Sequence, residues 1–242
     1  KAYKDKNHAK SDYFDEESKR QISELEMGFV ASLEPEGRRL LDIGAGAGIF
    51  AEVAAEKGWN VTAVDPAINE ARFSESDTIK AIKGSIEDIP NTELFDVITL
   101  WDVIEHADKP IGLIKTAKEY LKIGGWLIIE TGNYKSVDRI MGGENHWIYQ
   151  LDHRWYFSPS SMEKLLSAHG FENIRLSDTV LRPGWSGFVS YRGPSKVRLL
   201  KSFVRYPFGI FKQISQHLML LKARSWRQPG IGIFAIAARK IS

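Results

Sequence analysis

Apolar and polar positions alternate along the chain in two rhythms. Residues 15–33 carry apolar side chains at helical spacing, which predicts an amphipathic helix. Farther on, short apolar runs alternate with helical patterns. The runs predict strands at 38–43, 60–64, 79–83, 95–101, 126–130, 171–181 and 231–239. The patterns between them predict helices at 49–57, 67–74, 110–122 and 160–169, and a long loop with a short helix at 132–157.

This order of elements predicts an α/β fold. Strands that alternate with helices favour a Rossmann-like, seven-stranded and mostly parallel sheet with helices on both faces. We expect the last strand to be antiparallel. Residues 183–229 lie between the last two strands and are too many for a hairpin loop, so we interpret them as a helical insertion. The predicted organisation is one domain over residues 1–242, with an N-terminal lid or helix at 1–34 and a basic cap at 183–229.

A glycine-rich turn follows the first predicted strand. Gly44, Gly46 and Gly48 have the spacing G-x-G-x-G, whereas the dinucleotide pattern G-x-G-x-x-G would need a glycine at Ile49. In such a turn the backbone N–H groups lie at the start of the next helix and face a bound ligand. The missing side chains of the glycines and the small side chain of Ala45 let that ligand approach closely. In an open α/β sheet this crevice is where ligands bind.

Two carboxylates indicate which ligand the turn accepts. Asp42 precedes the glycines, where a negative charge is unfavourable beside a pyrophosphate but suits an ammonium group. Asp65 ends the next strand, followed by Pro66, where a carboxylate can accept from both hydroxyls of a ribose. The pattern therefore favours a ligand with a ribose and a positive charge over a dinucleotide.

Several motifs of the sequence resemble those of a known family. Residues 41–48 are similar to the first motif of class I S-adenosylmethionine-dependent methyltransferases, and residues 84–90 to the segment that lines the adenine. Residues 95–106 and 121–125 resemble the fourth motif and the loop before the fifth strand. The resemblance, which extends over about residues 35–180, is to bacterial enzymes of the ubiquinone-biosynthesis O-methyltransferase type. It implies S-adenosylmethionine as donor, S-adenosylhomocysteine as product, and cofactor contacts from Asp42, Gly44, Ala45, Gly46, Gly48, Asp65, Pro66, Ser85, Ile86, Glu87, Trp101 and Asp102.

Two histidines are candidates for catalysis. Transfer of a methyl group to a weak nucleophile requires that its proton be removed, and His106 and His153 are placed to do so. Asp102, Glu105 and His106 would converge on one helical turn, and His153 could join them as a fourth metal ligand. The resemblance implies metal assistance by Mg or Mn, although Asp102 stands where those enzymes have Glu. The alternative is that Glu105 only braces a helix and His106 only contacts cofactor or substrate.

Charge is divided unevenly along the chain. The net charge is +2, yet no Asp or Glu follows Asp178, and the last 64 residues hold 12 Lys and Arg. Residues 195–206 and 208–225 have the pattern of two basic amphipathic helices. Such helices could lie on an anionic membrane through residues 195–225, cover the active site, or contact a second copy of the chain in a homodimer. The sequence leaves these three open.

The cysteine content and the distribution of apolar residues limit the chemistry and the location that we expect for the protein. There is no cysteine, which excludes disulfides and thiolate chemistry. Residues 1–26 are polar without an apolar signal core, and no stretch reaches the roughly 18 apolar residues of a spanning helix. We expect a cytoplasmic protein, with contact to the inner face of the membrane as an option.

The leading functional interpretation is O-methylation of a small-molecule, quinone-, sugar- or lipid-linked acceptor. One alternative is an enzyme that methylates the 2′-hydroxyl of RNA, although the basic residues alternate with apolar ones, which disfavours nucleic acid as partner. The other is a protein that binds the cofactor without turnover.

Overall fold

The computed structural model describes residues 15–90, 92–136, 139–140, 143–177, 181–182 and 232–242. The strands are β1 (Arg39–Ile43), β2 (Asn60–Asp65), β3 (Ile79–Lys83), β4 (Phe95–Trp101), β5 (Leu121–Gly132), β6 (Phe171–Leu176) and β7 (Ile233–Lys240). The helices are α1 (Glu16–Ser32), α2 (Ile49–Glu56), α3 (Pro110–Tyr120) and α4 (Pro159–Ala168), with short 3-10 turns at Glu70–Phe73, Ile86–Asp88 and Gly143–Asn145.

The seven strands form one sheet in the order β3-β2-β1-β4-β5-β7-β6. The adjacent pairs β3–β2, β2–β1, β1–β4 and β4–β5 are parallel. Strand β7 runs antiparallel to both of its neighbours, β5 and β6. The predicted Rossmann-like sheet and its antiparallel last strand are therefore confirmed. The parallel strands end together at one edge, where their carboxyl ends are open to a ligand.

Both faces of the sheet are covered, which explains the nearly continuous apolar runs of the central strands. Alternate side chains along each strand point to opposite faces. Leu40 and Val97 pack on the side of α1 and α2, whereas Leu41 and Ile98 pack on the side of α3 and α4. The core therefore lies in two layers, and the strand ends between them are held rigidly.

Local capping sets where the helices begin. Asp15 accepts a hydrogen bond of 2.7 Å from the backbone N–H of Ser18 and so caps α1, and Ser158 accepts from Ser161 at the start of α4. Each cap satisfies an otherwise free N–H group of the first turn. The starts of α1 and α4 are therefore fixed by the sequence around them.

Several predicted boundaries differ from the structure, and β5 begins at Leu121, five residues before the strand predicted at 126–130. The helix predicted at 110–122 ends at Tyr120, because Leu121 is buried and pairs with Phe95 as part of β5 across a register shift. The helix predicted at 67–74 is only a 3-10 turn, anchored by the buried ring of Phe73. The strand predicted at 171–181 ends at Leu176.

Parts of two predictions lie outside the described residues. These are the insertion at 183–229 and the segment before Asp15 of the N-terminal lid at 1–34, including Tyr13 and Phe14. Of the lid, the structure describes α1. Within the described part of the chain, no helix is long and apolar enough to cross a membrane.

Candidate active site

The glycine-rich turn leaves β1 at the carboxyl edge of the sheet. Gly44 and Gly48 have φ angles of 74° and 81°, which L side chains rarely adopt. A Cβ at Gly44 would collide with Val103, and one at Gly48 with the ring of Phe73. The backbone N–H of Gly44 donates to the carbonyl of Val64 at 2.8 Å, so the turn is held against the end of β2.

Asp65 ties the end of β2 to the same turn. Its Oδ2 accepts a hydrogen bond of 3.0 Å from the N–H of Gly46, and its Oδ1 accepts one of 2.7 Å from Ala67. Each carboxylate oxygen has a second lone pair, so the half-buried group can still accept from a ligand. Pro66, which follows, is exposed.

A cleft of about 240 Å³ opens between α1 and the glycine-rich turn. Five of the residues predicted to contact the cofactor line it, namely Asp42, Gly44, Ala45, Gly46 and Trp101. The opposite wall is formed by Lys19, Ile22, Ser23 and Glu26 of α1. We call this cavity the donor cleft.

Asp42 lies at the bottom of the donor cleft and is 2% exposed. Its burial raises the pKa of the carboxyl to about 7, and the charge of Asp65 acts in the same direction. A hydrogen bond of 2.8 Å from the Thr99 hydroxyl opposes the rise. Near neutral pH a positive charge entering the cleft would therefore shift Asp42 to its ionised form.

The predicted adenine segment forms a short turn after β3. The backbone N–H and the hydroxyl of Ser85 both donate to Oδ2 of Asp88, at 2.8 and 3.1 Å, which closes a capping box. Ile86 is buried, whereas Glu87 is exposed. The Ser85 hydroxyl is therefore already used in holding the turn.

A buried ionic cluster that the sequence pattern did not predict lies beside the donor cleft. Arg182 Nη2 lies 2.7 Å from Glu130 Oε1 and 2.9 Å from Asp102 Oδ2, and Arg182 Nη1 lies 3.9 Å from Glu26 Oε1. Burial raises the pKa of Glu130 to about 7 and that of Glu26 well above its ordinary value, whereas the charge of Arg182 lowers both. In the sequence, the cluster is indicated only by Glu26, which lies among the apolar positions of α1, and by Glu130, which ends the apolar run of β5.

Asp102 belongs to this cluster and departs from its predicted role as a metal ligand. Its backbone has a φ of 53°, and its N–H donates to the carbonyl of Glu130 at 3.1 Å. Its carboxylate accepts from Arg182 at 2.9 Å. Among the described residues, the group with metal-ligand spacing comprises Glu105, His106 and His153 without Asp102, because Arg182 holds that carboxylate.

Glu105, His106 and His153 meet where a turn after β4 contacts the loop before α4. The backbone N–H groups of Arg154 and Trp155 both donate to the carbonyl of Glu105, at 2.9 and 3.2 Å. One potential ligand atom from each of the three side chains lies within 4.8 Å of the others. We call these three residues the histidine–glutamate group.

The two imidazoles present the same nitrogen to the open side. His106 Nδ1 donates to the carbonyl of Asp152 at 3.1 Å, and His153 Nδ1 donates to that of Ile148 at 2.9 Å. Because a carbonyl can only accept, the proton lies on Nδ1 and each Nε2 keeps a lone pair. The ring centres are 4.8 Å apart, and burial together with His106 lowers the pKa of His153.

Glu105 supplies a buried carboxyl to the same group. Burial raises its pKa to about 8, with a further rise from the charge of Asp102. Its Oε2 has no hydrogen-bond partner among the residues that the structure describes. A buried acceptor in this state favours a ligand that brings positive charge or a proton.

Comparison with known proteins identifies the class. The methyltransferase domain family matches residues 14–176, and the chain belongs to that family. Solved structures show the same fold. A SAM-dependent methyltransferase from Archaeoglobus fulgidus superposes with a TM-score of 0.60 at 20% identity, covering 91% of this chain and 94% of that one. The 1,6-didemethyltoxoflavin-N1-methyltransferase of Burkholderia thailandensis also gives 0.60, at 16% identity and coverages of 98% and 84%.

Curated relatives narrow the comparison. A ubiquinone biosynthesis O-methyltransferase of Cereibacter sphaeroides is 29% identical over 201 residues, which is 77% of this chain and 80% of that enzyme. The match to the enzyme of the same name from Paracidovorax citrulli, at 30% identity, covers 47% of this chain and 52% of the enzyme. By family and by fold, the protein is an S-adenosylmethionine-dependent methyltransferase.

Proposed function

We propose that the protein transfers the methyl group of S-adenosylmethionine to a hydroxyl oxygen of a small-molecule acceptor. One observation carries the proposal. Trp101 lines the donor cleft, and the same chain segment continues directly to His106, whose ring lies beside that of His153 and which, like His153, is held through Nδ1. A methyl donor bound in the cleft and a histidine that accepts the proton would then lie along one edge of the sheet.

The donor cleft and the chain segments next to it offer groups that would match each part of the cofactor. Asp42 would pair with the ammonium group, and Asp65 would accept from the ribose hydroxyls while Gly44, Gly46 and Gly48 leave room for the chain of the ligand. The segment with Ser85, Ile86 and Glu87 would border the adenine. Trp101 Nε1 is buried and has no partner among the described residues, so it can donate to the cofactor carboxylate.

The reaction balances with a histidine as base. The acceptor oxygen forms a bond to the methyl carbon, the bond from that carbon to sulfur breaks with its electron pair left on sulfur, and the acceptor proton passes to Nε2. S-adenosylhomocysteine is the product. His153 suits this role, because its lowered pKa keeps the ring neutral at physiological pH. His106 would orient the acceptor beside it.

A divalent ion fits the histidine–glutamate group. Two imidazoles and a buried carboxyl oxygen without a partner in the described chain form a donor set that Mg or Mn accepts. Such an ion, held by Glu105, His106 and His153, would replace the general base, because it would lower the pKa of the acceptor hydroxyl while occupying the Nε2 lone pair of His153. The protein residues would then orient the hydroxyl toward the donor cleft.

The acceptor class follows from the surroundings and the relatives. The names of the curated relatives favour methylation of oxygen and a quinone-type ring. Exposed aromatic side chains near the histidines, including Trp147 and Tyr149, suit a flat ring, and a sugar- or lipid-linked acceptor would use the same surfaces. Membrane contact through residues 195–225 and a homodimer remain predictions.

The direct test is methyl transfer from labelled S-adenosylmethionine to a panel of catechols, aminophenols and sugars. We expect methyl ethers from the hydroxyl acceptors and a large loss of turnover in His153→Ala with cofactor binding retained. Cofactor binding without turnover on any acceptor would instead support a binding protein, and RNA binding with steep salt dependence would support an RNA enzyme. Full activity in excess EDTA would exclude the metal and leave the imidazole as base.

A further inference from the structure

A second cavity shares no lining residue with the donor cleft. It measures about 310 Å³ and is bordered by the residues just after β5 and the first turn of α4. Tyr134 and Tyr156 contribute rings, and Lys135 and Lys164 contribute ammonium groups. Phe157 and three serines line the remainder. None of the lining residues is acidic.

Both lysines carry uncompensated charge. Lys135 and Lys164 are exposed, and neither ammonium has an ion pair within the described ranges of the chain. Between them lies the start of α4, whose positive end adds to the field. Ser160 contributes a hydroxyl whose contact is with Ser158 Oγ at 3.2 Å, so it can turn toward a ligand. The cavity is therefore built for negative charge.

A tyrosine cluster joins this cavity to the histidines. The rings of Tyr134 and Tyr156 are 5.6 Å apart, and each also contacts the ring of Tyr149, at 6.5 and 5.6 Å. Tyr149 follows Ile148, whose carbonyl accepts the hydrogen bond from His153. Trp147, on the other side of Ile148, lies 6.5 Å from the ring of His153. Aromatic faces therefore extend from the cavity to the proposed base.

Tyr134 is also held in place from behind. The guanidinium of Arg139 stacks 4.2 Å from the ring centre, and its Nε donates to the Tyr134 carbonyl at 2.6 Å. A cation on one face of the ring fixes its plane and adds positive charge to this side of the site. Tyr134 is thus a preorganised surface on which a flat group can stack.

We propose that this cavity binds an anionic group of the acceptor, a phosphate or a carboxylate, whose attached ring lies on Tyr134 and Tyr156. The ammonium groups of Lys135 and Lys164 pair with the negative charge of this group. The tyrosine cluster directs the rest of the molecule toward His153. This inference rests on the proposed function and names its substrate class as an acceptor that carries negative charge.

Calorimetric titration of the full chain tests the cavity without any turnover. The probes are phenyl phosphate, benzoate and phenol, which share a ring and differ in charge. We expect phenyl phosphate or benzoate to bind at least about tenfold more tightly than phenol, since charge-assisted hydrogen bonds are worth about 1.4 kcal/mol or more. Preference between the two anions tells phosphate from carboxylate.

Matched variants separate the cavity from general surface charge. Lys135→Gln combined with Lys164→Gln is expected to weaken anion binding about tenfold or more while leaving phenol unchanged. Lys115→Gln is the control, because Lys115 is exposed and lines another cavity, of about 420 Å³, that contains Glu119. Equal binding of anions and phenol, or equal loss in the Lys115 control, would overturn the proposal.

The two proposals fail independently. The double lysine variant should still bind S-adenosylmethionine and methylate an uncharged catechol at the wild-type rate, because neither lysine lines the donor cleft. Absence of methyl transfer by the wild type would remove the proposed function, while the titrations would still report on the cavity. Loss of uncharged-acceptor turnover in the double variant would show that the lysines serve another role.

Discussion

The Thr99 hydroxyl donates a 2.8 Å hydrogen bond to Oδ1 of Asp42, and both side chains are buried. Thr99 lies on β4 and Asp42 on its parallel neighbour β1, where the two residues face each other in register. The bond favours the ionised carboxylate, while burial favours the neutral acid with a pKa of about 7. The charge of Asp42 is therefore set by what enters the donor cleft.

Cofactor affinity should rise with pH around neutrality. The Asp42 carboxylate must be ionised to pair with an ammonium, and a raised pKa delays ionisation, so affinity falls by up to about tenfold per pH unit below pH 7. Calorimetry in buffers of different ionisation enthalpy should show proton release on binding. Asp42→Asn should bind weakly with little pH dependence, and Thr99→Val should move the profile to higher pH. An unchanged profile in Asp42→Asn would refute this assignment.

Removal of Arg182 should destabilise the protein more at high pH than at low pH. Glu26 and Glu130 are buried beside it, and an unpaired buried charge costs about 3–5 kcal/mol of unfolding free energy. The pKa of Glu130 is raised to about 7 and that of Glu26 is also raised, so both acids become protonated as the pH falls and the cost of Arg182→Met should then shrink. Urea unfolding at acidic and alkaline pH measures the difference.

An exposed arginine provides the control for that experiment. Arg154 forms an ion pair with Asp108 on the surface, where such pairs contribute less than about 1 kcal/mol. Arg154→Met should change stability little and equally at both pH values. Adding Glu130→Gln to Arg182→Met should recover part of the loss. Equal effects of the two arginine substitutions would contradict the buried-charge interpretation.

Two glycines with the same backbone angle should respond differently to alanine. Gly44 has a φ of 74° and faces Val103, whereas Gly58 has a φ of 83° and open space around it. Both substitutions incur roughly 1–2 kcal/mol of backbone strain. Gly44→Ala should lose at least about 1 kcal/mol more, because the new methyl group meets a packed side chain. Val103→Ala should relieve only that excess, as measured by urea unfolding.

Replacement of His153 should lower turnover without weakening cofactor binding. Loss of a general base typically reduces kcat by about 10²–10⁴-fold. The wild-type rate should fall as the pH drops through the lowered pKa of His153, because the protonated ring cannot accept the acceptor proton. His169→Ala is the matched control, since His169 also donates from Nδ1 to a carbonyl, that of Leu165 at 2.8 Å, but lies in another cavity. A comparable kcat in His153→Ala and His169→Ala would contradict the role.

The sequence was informative where geometry is local. The turn at Gly44 and Gly48 and the strand end at Asp65 depend on neighbours within a few residues, so their pattern predicted their positions. Arg182, Glu26 and Glu130 come together only through the sheet and α1, and a single sequence does not reveal such distant pairs. Asp102 likewise pairs with Arg182, a residue 80 positions away that the local pattern did not indicate.

The alternation of polar and apolar positions likewise predicted the strands better than the helix ends. A run of apolar residues is enough to predict a buried strand. The end of α3 depends instead on the pairing of Leu121 with Phe95, which are far apart in the sequence. The role of Ser85 could not be predicted from the sequence either. Its hydroxyl could donate to a ligand or to a neighbouring carboxylate, and in the structure it donates to Asp88.

The antiparallel strand β7 has a consequence for how this protein can diversify. Gly132 at the end of β5 pairs with Ile233 at the start of β7, so the chain rejoins the sheet at the edge where the donor cleft opens. Arg182, at the other end of the intervening stretch, is fastened to Glu130 at the same edge. Arg182 and Ile233, where the chain leaves and rejoins this edge, are therefore held by the same strands as the donor cleft, and a related chain with another acceptor would need to keep both in order to keep its donor site.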